Sequence, residues 1–155
     1  MSNLTATTTI GAFFAALATK IKTDLTWTSA ANRVFVVDKL RLQDSAVPNI
    51  QIEPISMVPL SENTGVDVCL VEYKIHAVVK VEYDMGGRMT ERLVDDKSSF
   101  LTANTVVGIL VAMADTTTYS RQIFVRMDGG SHDDTLGLTT SAATFRCNVR
   151  TLSDA

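Results

Sequence analysis

The sequence predicts one α+β domain spanning residues 1–155. Its antiparallel, sandwich-like β-sheet carries an N-terminal helix and a second, apolar helix packed on it, and a hairpin and loops project from it. Three observations predict this. Apolar residues recur at helical spacing near the start, and a long central stretch alternates with period two. An almost uncharged apolar run then separates that stretch from two further alternating segments. A chain of 155 residues leaves little room for a second domain. At this size roughly 68–70% of the unfolded surface is buried, enough for a core without disulfide or metal staples. With 46% hydrophobic and 20% charged residues, the balance is that of a globular protein, not a disordered one.

Residues 7–25 read as the first helix. Thr7, Thr8 or Thr9 can cap it, because a threonine oxygen accepts from an orphan amide of the first turn. Ile10, Phe13, Phe14, Leu17, Ile21 and Leu25 form one apolar stripe, with Lys20, Lys22 and Asp24 on the polar side. Residues 27–32 read as a polar turn, residues 33–42 as a strand, residues 44–48 as a loop and residues 49–53 as a second strand ended by Pro54. Proline cannot donate to a ladder, so Pro48, Pro54 and Pro59 confine this stretch to a sheet edge or a loop, and residues 54–65 read as a connection. Ile55, Met57, Val58 and Leu60 make that connection more apolar than a solvated loop needs; such residues pack on the domain or lie under a neighbouring chain.

The clearest pattern is 71–83. Val71, Tyr73, Ile75, Ala77, Val79, Val81 and Tyr83 alternate with Glu72, Lys74, His76, Val78, Lys80 and Glu82, which predicts a strand with one face on a core and the other wet. At ~3.3 Å per residue it reaches roughly 43 Å, long enough to project beyond a small domain. Gly86 and Gly87 suit a turn over 84–88, with residues 89–94 returning as a hairpin strand. A helix over about 102–115 is apolar nearly all round, which implies cover on more than one side. Strands over 122–127 and 143–151 close the chain, joined by a long acidic loop over 128–141.

The composition excludes several functions. A net charge of −3 without any Lys/Arg run argues against a primary nucleic-acid binder. No apolar run approaches the ~20 residues of a membrane span, and the N-terminus lacks the features of a signal peptide. Cys69 and Cys147 lie far apart in apolar runs and read as two buried thiols rather than a disulfide. His76 falls on the wet face of its strand. No G-x-S-x-G elbow occurs, neither cysteine has a recognisable base, and Gly86-Gly87 lacks the rest of a phosphate loop. Asp128, His132, Asp133 and Asp134 have the donor types for Mn²⁺ or Mg²⁺, and a small metal-dependent enzyme is the alternative they would support. One such cluster on a glycine-containing loop reads better as a solvated loop. The expectation is therefore a non-enzymatic protein with no catalytic, cofactor or metal residues. The loops carrying Met85, Gly86, Gly87, Arg88, Asp128, His132, Asp133 and Asp134 are expected to seat on a neighbouring subunit or line a channel.

The order of elements resembles that of the tail-terminator and tail-completion (neck) proteins of long-tailed bacteriophages. The likeness runs through PNIQIEP at 48–54, VEYKIHAVVKVEY at 71–83, TVVGILVAMAD at 105–115 and ATFRCNVRT at 143–151. It covers nearly the whole chain as a layout and carries no diagnostic motif. The resemblance implies a structural virion protein, a ring (usually of six subunits) that caps the tail tube and meets the head connector, with DNA only passing through the channel. A head-completion (stopper) protein or a tail-tube subunit is the alternative. The implied partners are further copies of the chain, a tube protein and a connector protein, and the implied location is the virion tail or neck after assembly in the host cytoplasm.

Overall fold

The computed structural model describes residues 8–25, 33–41, 49–63, 66–80, 106–128, 132–133 and 137–152. Helix α1 (Ile10–Asp24) starts where Thr9 adopts an extended conformation and its side-chain oxygen accepts from the Ala12 amide at 3.0 Å. Of the three threonines able to cap it, Thr9 does so. The helix ends at Leu25, whose amide donates to the Ile21 carbonyl. Phe13, Phe14, Leu17, Ala18 and Ile21 form its buried stripe, as the spacing predicts.

The strands are β1 (Val34–Val36), β2 (Asn49–Asn63), β3 (Val66–Lys80), β4 (Ile123–Asp128), β5 (His132–Asp133) and β6 (Leu138–Leu152). They make one six-stranded sheet in the order β1-β2-β3-β6-β4, with β5 also paired to β6. Every pairing is antiparallel except β1 with β2, so the α+β class holds with a mixed sheet. Three strands of fifteen residues, β2, β3 and β6, form its spine. At about 3.4 Å per residue each reaches roughly 50 Å.

One face of the sheet is the core. Ile50 and Ile52 of β2, Val71, Tyr73, Ile75 and Ala77 of β3, and Ala143, Phe145, Cys147 and Val149 of β6 lie beneath α1 and the second helix, α2 (Val106–Val111). Tyr73 stacks on Phe145 with ring centroids 5.5 Å apart, and Phe13 and Phe14 meet Tyr73 edge-on. The Tyr73 hydroxyl donates to Gln122 Oε1 at 2.5 Å, so the one polar atom of this ring has a partner inside the core. Burial pushes the Tyr73 phenol well above its ordinary range, and burial likewise pushes the Cys147 thiol up to about 12. Both cysteines are free and buried.

The structure corrects several sequence expectations. Strand β1 is only three residues long, where 33–42 was expected. Helix α2 ends at Val111, short of residue 115. The chain turns back there: the Asp115 carboxylate accepts from the Arg121 amide, and Thr116 bonds to Thr118 and Tyr119. Cover on α2 is one-sided, since Gly108 and Val111 are exposed. Pro54 does not end β2, which runs on to Asn63, and β3 begins at Val66 rather than Val71. The turn over 84–88, the returning strand over 89–94 and the polar turn over 27–32 lie outside the described residues.

The reverse face of the sheet is not uniformly wet either. Asn49, Gln51, His76, Val78, Leu138, Thr140, Ala142 and Thr144 are all buried there. Gln51 holds both the amide and the carbonyl of Arg41, laying the segment after β1 against this face. His76, expected at the surface, is 7% exposed and its Nε2 lies 2.8 Å from Glu53 Oε1. Alternation marked its face correctly and could not show what covers that face.

Candidate assembly surface

The two loops singled out by sequence fare differently. Met85, Gly86, Gly87, Arg88 and Asp134 lie outside the described residues. Asp128 is the last residue of β4. Its carboxylate accepts from Arg126 Nε at 2.9 Å and, through the other oxygen, from the Thr144 hydroxyl. That arrangement pins the end of β4 to β6. His132 and Asp133 are not loop residues: they form β5 and pair with Thr139 and Leu138. Gly137, at φ +68°, supplies the left-handed turn that brings the chain into β6. Asp128 and β5 thus share one edge of β6, as an extension of the sheet. Among the described residues no group of three or more His, Cys, Asp or Glu side chains could hold a metal ion.

What sequence reasoning missed is a hairpin arm. Core burial on β2 stops after Ile52, while on β3 and β6 it runs on to Cys69 and Thr151. Beyond Ile52, residues 55–63 of β2 continue paired to β3, with β6 alongside as far as Leu152. Ile55, Met57 and Val58 are 45%, 47% and 50% exposed. The signal was present in the sequence as apolar residues too dense for a loop. It was misread because three prolines outweighed it.

The register explains how β2 accommodates those prolines. The Ile50 amide donates to Arg33, and the Ile52 carbonyl accepts from Val37, so the even-numbered backbone groups here face the β1 side. Pro54 has the same parity and lies beyond the end of β1, at an edge with no paired strand among the described residues. A one-residue register shift between Pro54 and Ser56 reverses the parity, which turns Pro59 towards the same edge. Neither proline removes a bond to β3, and both remove donors from the edge. The arm therefore exposes apolar side chains while resisting strand addition.

The reverse face of the arm is contiguous. Val58 neighbours Leu70, which neighbours Asn148, and the next row holds Ser56, Glu72, Arg146 and Ile123. Arg146 lies 3.4 Å from Glu72, and Ile123 is 57% exposed. On this surface apolar side chains are interleaved with a cation and its paired carboxylate.

A solved chain from a structure described as the virion of a native gene transfer agent (GTA) particle superimposes on this one with a TM-score of 0.57. The match covers 88% of this chain and 92% of that one, at 14% identity. The two chains share a fold. No protein-family model matches the sequence, and no curated protein does. No helix among the described residues is long and apolar enough to cross a membrane.

Proposed function

We propose that this chain is a structural protein of a phage-like virion, and that it works by assembling with copies of itself and with other virion proteins rather than by catalysis. The observation that carries the reading is the whole-chain likeness to a chain of the gene transfer agent virion. The exposed, proline-edged arm supports it, because a small domain gains nothing in its own stability from apolar side chains held outside its core.

Within that role, the finer reading is a ring at the neck of the tail, of six subunits, which caps the tail tube and meets the head connector while DNA passes through. The layout that suggests this in the sequence is the one the fold displays: N-terminal helix, long strands, apolar helix, terminal strand. Negative-stain electron microscopy with light-scattering mass, on the chain alone and mixed with tail tubes, tests it. Rings with a central hole, or caps at tube ends, are the expected result. Long filaments formed by the chain alone would assign it to the tube instead. A chain that stays monomeric and binds neither tubes nor connectors overturns the assembly reading altogether.

A further inference from the structure

We propose that β4 is a two-register strand, held in its bulged register by the buried hydrogen bond between Tyr73 and Gln122. The packing of this chain alone carries the proposal, which stands or falls apart from the virion reading.

In sequence, Ile123, Val125 and Met127 alternate with Gln122, Phe124, Arg126 and Asp128. Strict period two would set the three aliphatic side chains on the core and the other four on the reverse face. The structure departs from that pattern at one point. Met127 packs on the core and pairs with Ala143, but Val125 has no Cα partner on β6, and the register shift there turns the strand over. Upstream of the shift, Phe124 meets Phe145 edge-on with ring centroids 5.9 Å apart, and Gln122 is 2% exposed. Ile123, paired with Arg146 on the reverse face, is 57% exposed. The bulge thus buries an amide and leaves an isoleucine in water, the reverse of what transfer from water favours.

The partners that Gln122 finds offset this. Its Oε1 accepts from the Tyr73 hydroxyl at 2.5 Å, and its Nε2 donates to the Ser120 carbonyl at 3.1 Å. One contact therefore satisfies two buried polar groups, the phenol and the amide, and a buried polar pair of this kind specifies register more than it adds stability.

The competing register is close at hand. Moving the extra residue from Val125 to the stretch before Ile123 sets Val125 opposite Phe145 and Ile123 opposite Cys147, with no change at Arg126, Met127 or Asp128. That stretch already carries slack: Tyr119 bridges Val149 and Ile123 pairs with Arg146, so four steps (119 to 123) run against three (149 to 146). In the competing register Gln122 leaves the core, and Phe124 takes the place of Ile123 opposite Arg146. The core bond selects which apolar side chain the reverse face presents at its β4 edge.

Methyl-resolved NMR tests the proposal on wild type, Tyr73→Phe, Tyr73→Phe/Gln122→Leu and Gln122→Glu, with circular dichroism confirming each fold. In wild type the Ile123 methyls are expected to show no nuclear Overhauser effect to the Phe145 ring. Tyr73→Phe strands the Gln122 amide and is expected to raise a second set of signals over residues 122–125 at least about tenfold, with the Ile123 methyls now at the Phe145 ring. Adding Gln122→Leu removes the reason to leave the core, and the single wild-type pattern should return. Gln122→Glu should favour the competing register from the other partner, because an ionised carboxylate does not stay in a core. It decides the matter if Tyr73→Phe does not fold. A wild-type pattern in either folded variant, Tyr73→Phe or Gln122→Glu, overturns the two-register reading. So does a second set of signals that persists after Gln122→Leu is added.

Discussion

The two halves of β2 hold similar residues in opposite circumstances. Ile50 and Ile52 are fully buried, whereas Ile55, Met57 and Val58, a few residues further along the same strand, are about half exposed. Hydrophobicity does not separate them, and neither does secondary structure, since one unbroken strand contains both. The difference is cover: Ile50 and Ile52 belong to the core beneath the helices, and Ile55, Met57 and Val58 do not. An apolar strand residue thus reports a need for cover, and its source, the chain itself or a neighbour, is set by the length of the helices relative to the strands. Here β2 outruns a core capped by helices of fifteen and six residues, while buried residues continue to Cys69 on β3 and Thr151 on β6. A helix rises ~1.5 Å per residue against ~3.4 Å for a strand, so α1 spans less than half the length of β2.

The largest expected effect lies at the covered end. Ile52→Ala removes a fully buried side chain between Val36 and Ile75 and should cost about 2–5 kcal/mol in urea unfolding, the range for cavity-forming substitutions. A loss near zero would mean that the covered half of β2 is not part of the core.

The core also carries a pH signature. The folded-state pKa of Cys147 is raised by burial from 9.0 to about 12, so its neutral thiol is favoured in the native state. The sign follows from linkage. Below about pH 9 both states hold the proton and the contribution is fully present. Between pH 9 and about 12 the unfolded chain loses the proton first and stability falls. At about 1.4 kcal/mol per pH unit, roughly 2–3 kcal/mol should be gone by pH 11. Tyr73, raised for the same reason, adds to the decline above its ordinary range. Cys147→Ala should flatten the early part of this alkaline slope in denaturant titrations. An unchanged slope would remove the thiol from the account.

Tyr73→Phe should cost less, about 1–3 kcal/mol, because it leaves the ring packing in place and strands the buried Gln122 Oε1 without its donor. Adding Gln122→Leu to that variant should recover part of the loss, since removing both polar partners is far cheaper than removing one. A double variant no better than the single one would show that the cost comes from packing.

How much of this was legible in the sequence follows the same division. The covered parts announced themselves: the stripe of α1 and the alternation of β3 and β6 are local patterns imposed by a core, and they located Phe13, Leu17, Tyr73, Ile75, Phe145 and Cys147 correctly. The arm did not, because its evidence was contradictory. Pro54 and Pro59 read as strand breakers, and only the pairing register shows that both nitrogens face an edge with no partner strand among the described residues. His76 was misplaced for a related reason. Alternation assigns a residue to a face, and the burial of that face depends on Glu53 and on the segment after β1, distant in sequence and linked to it by no pattern. Of the candidate site residues, Asp128 was read as part of a loop and proved to be the bonded end of β4. A two-residue strand such as β5 leaves no periodicity to detect.

The smallest effect on folding is expected at the bare end, and it gives the sharpest form of the comparison. Ile55→Ala makes nearly the same chemical change as Ile52→Ala, three residues along the same strand. Ile55 sits at the register shift between Pro54 and Ser56 and is 45% exposed, so little transfer energy is lost and no enclosed cavity forms. Its effect on the unfolding free energy of the isolated chain should stay within about 0.5 kcal/mol. If the arm's apolar residues are covered by a neighbouring subunit, the same substitution should cost more in the assembled state than in the isolated one, because only there is the side chain withdrawn from water. Unfolding midpoints measured at low and high protein concentration separate the two terms. A concentration-independent loss as large as that of Ile52→Ala would show that Ile55 belongs to the chain's own core, and would erase the distinction between the two halves of β2.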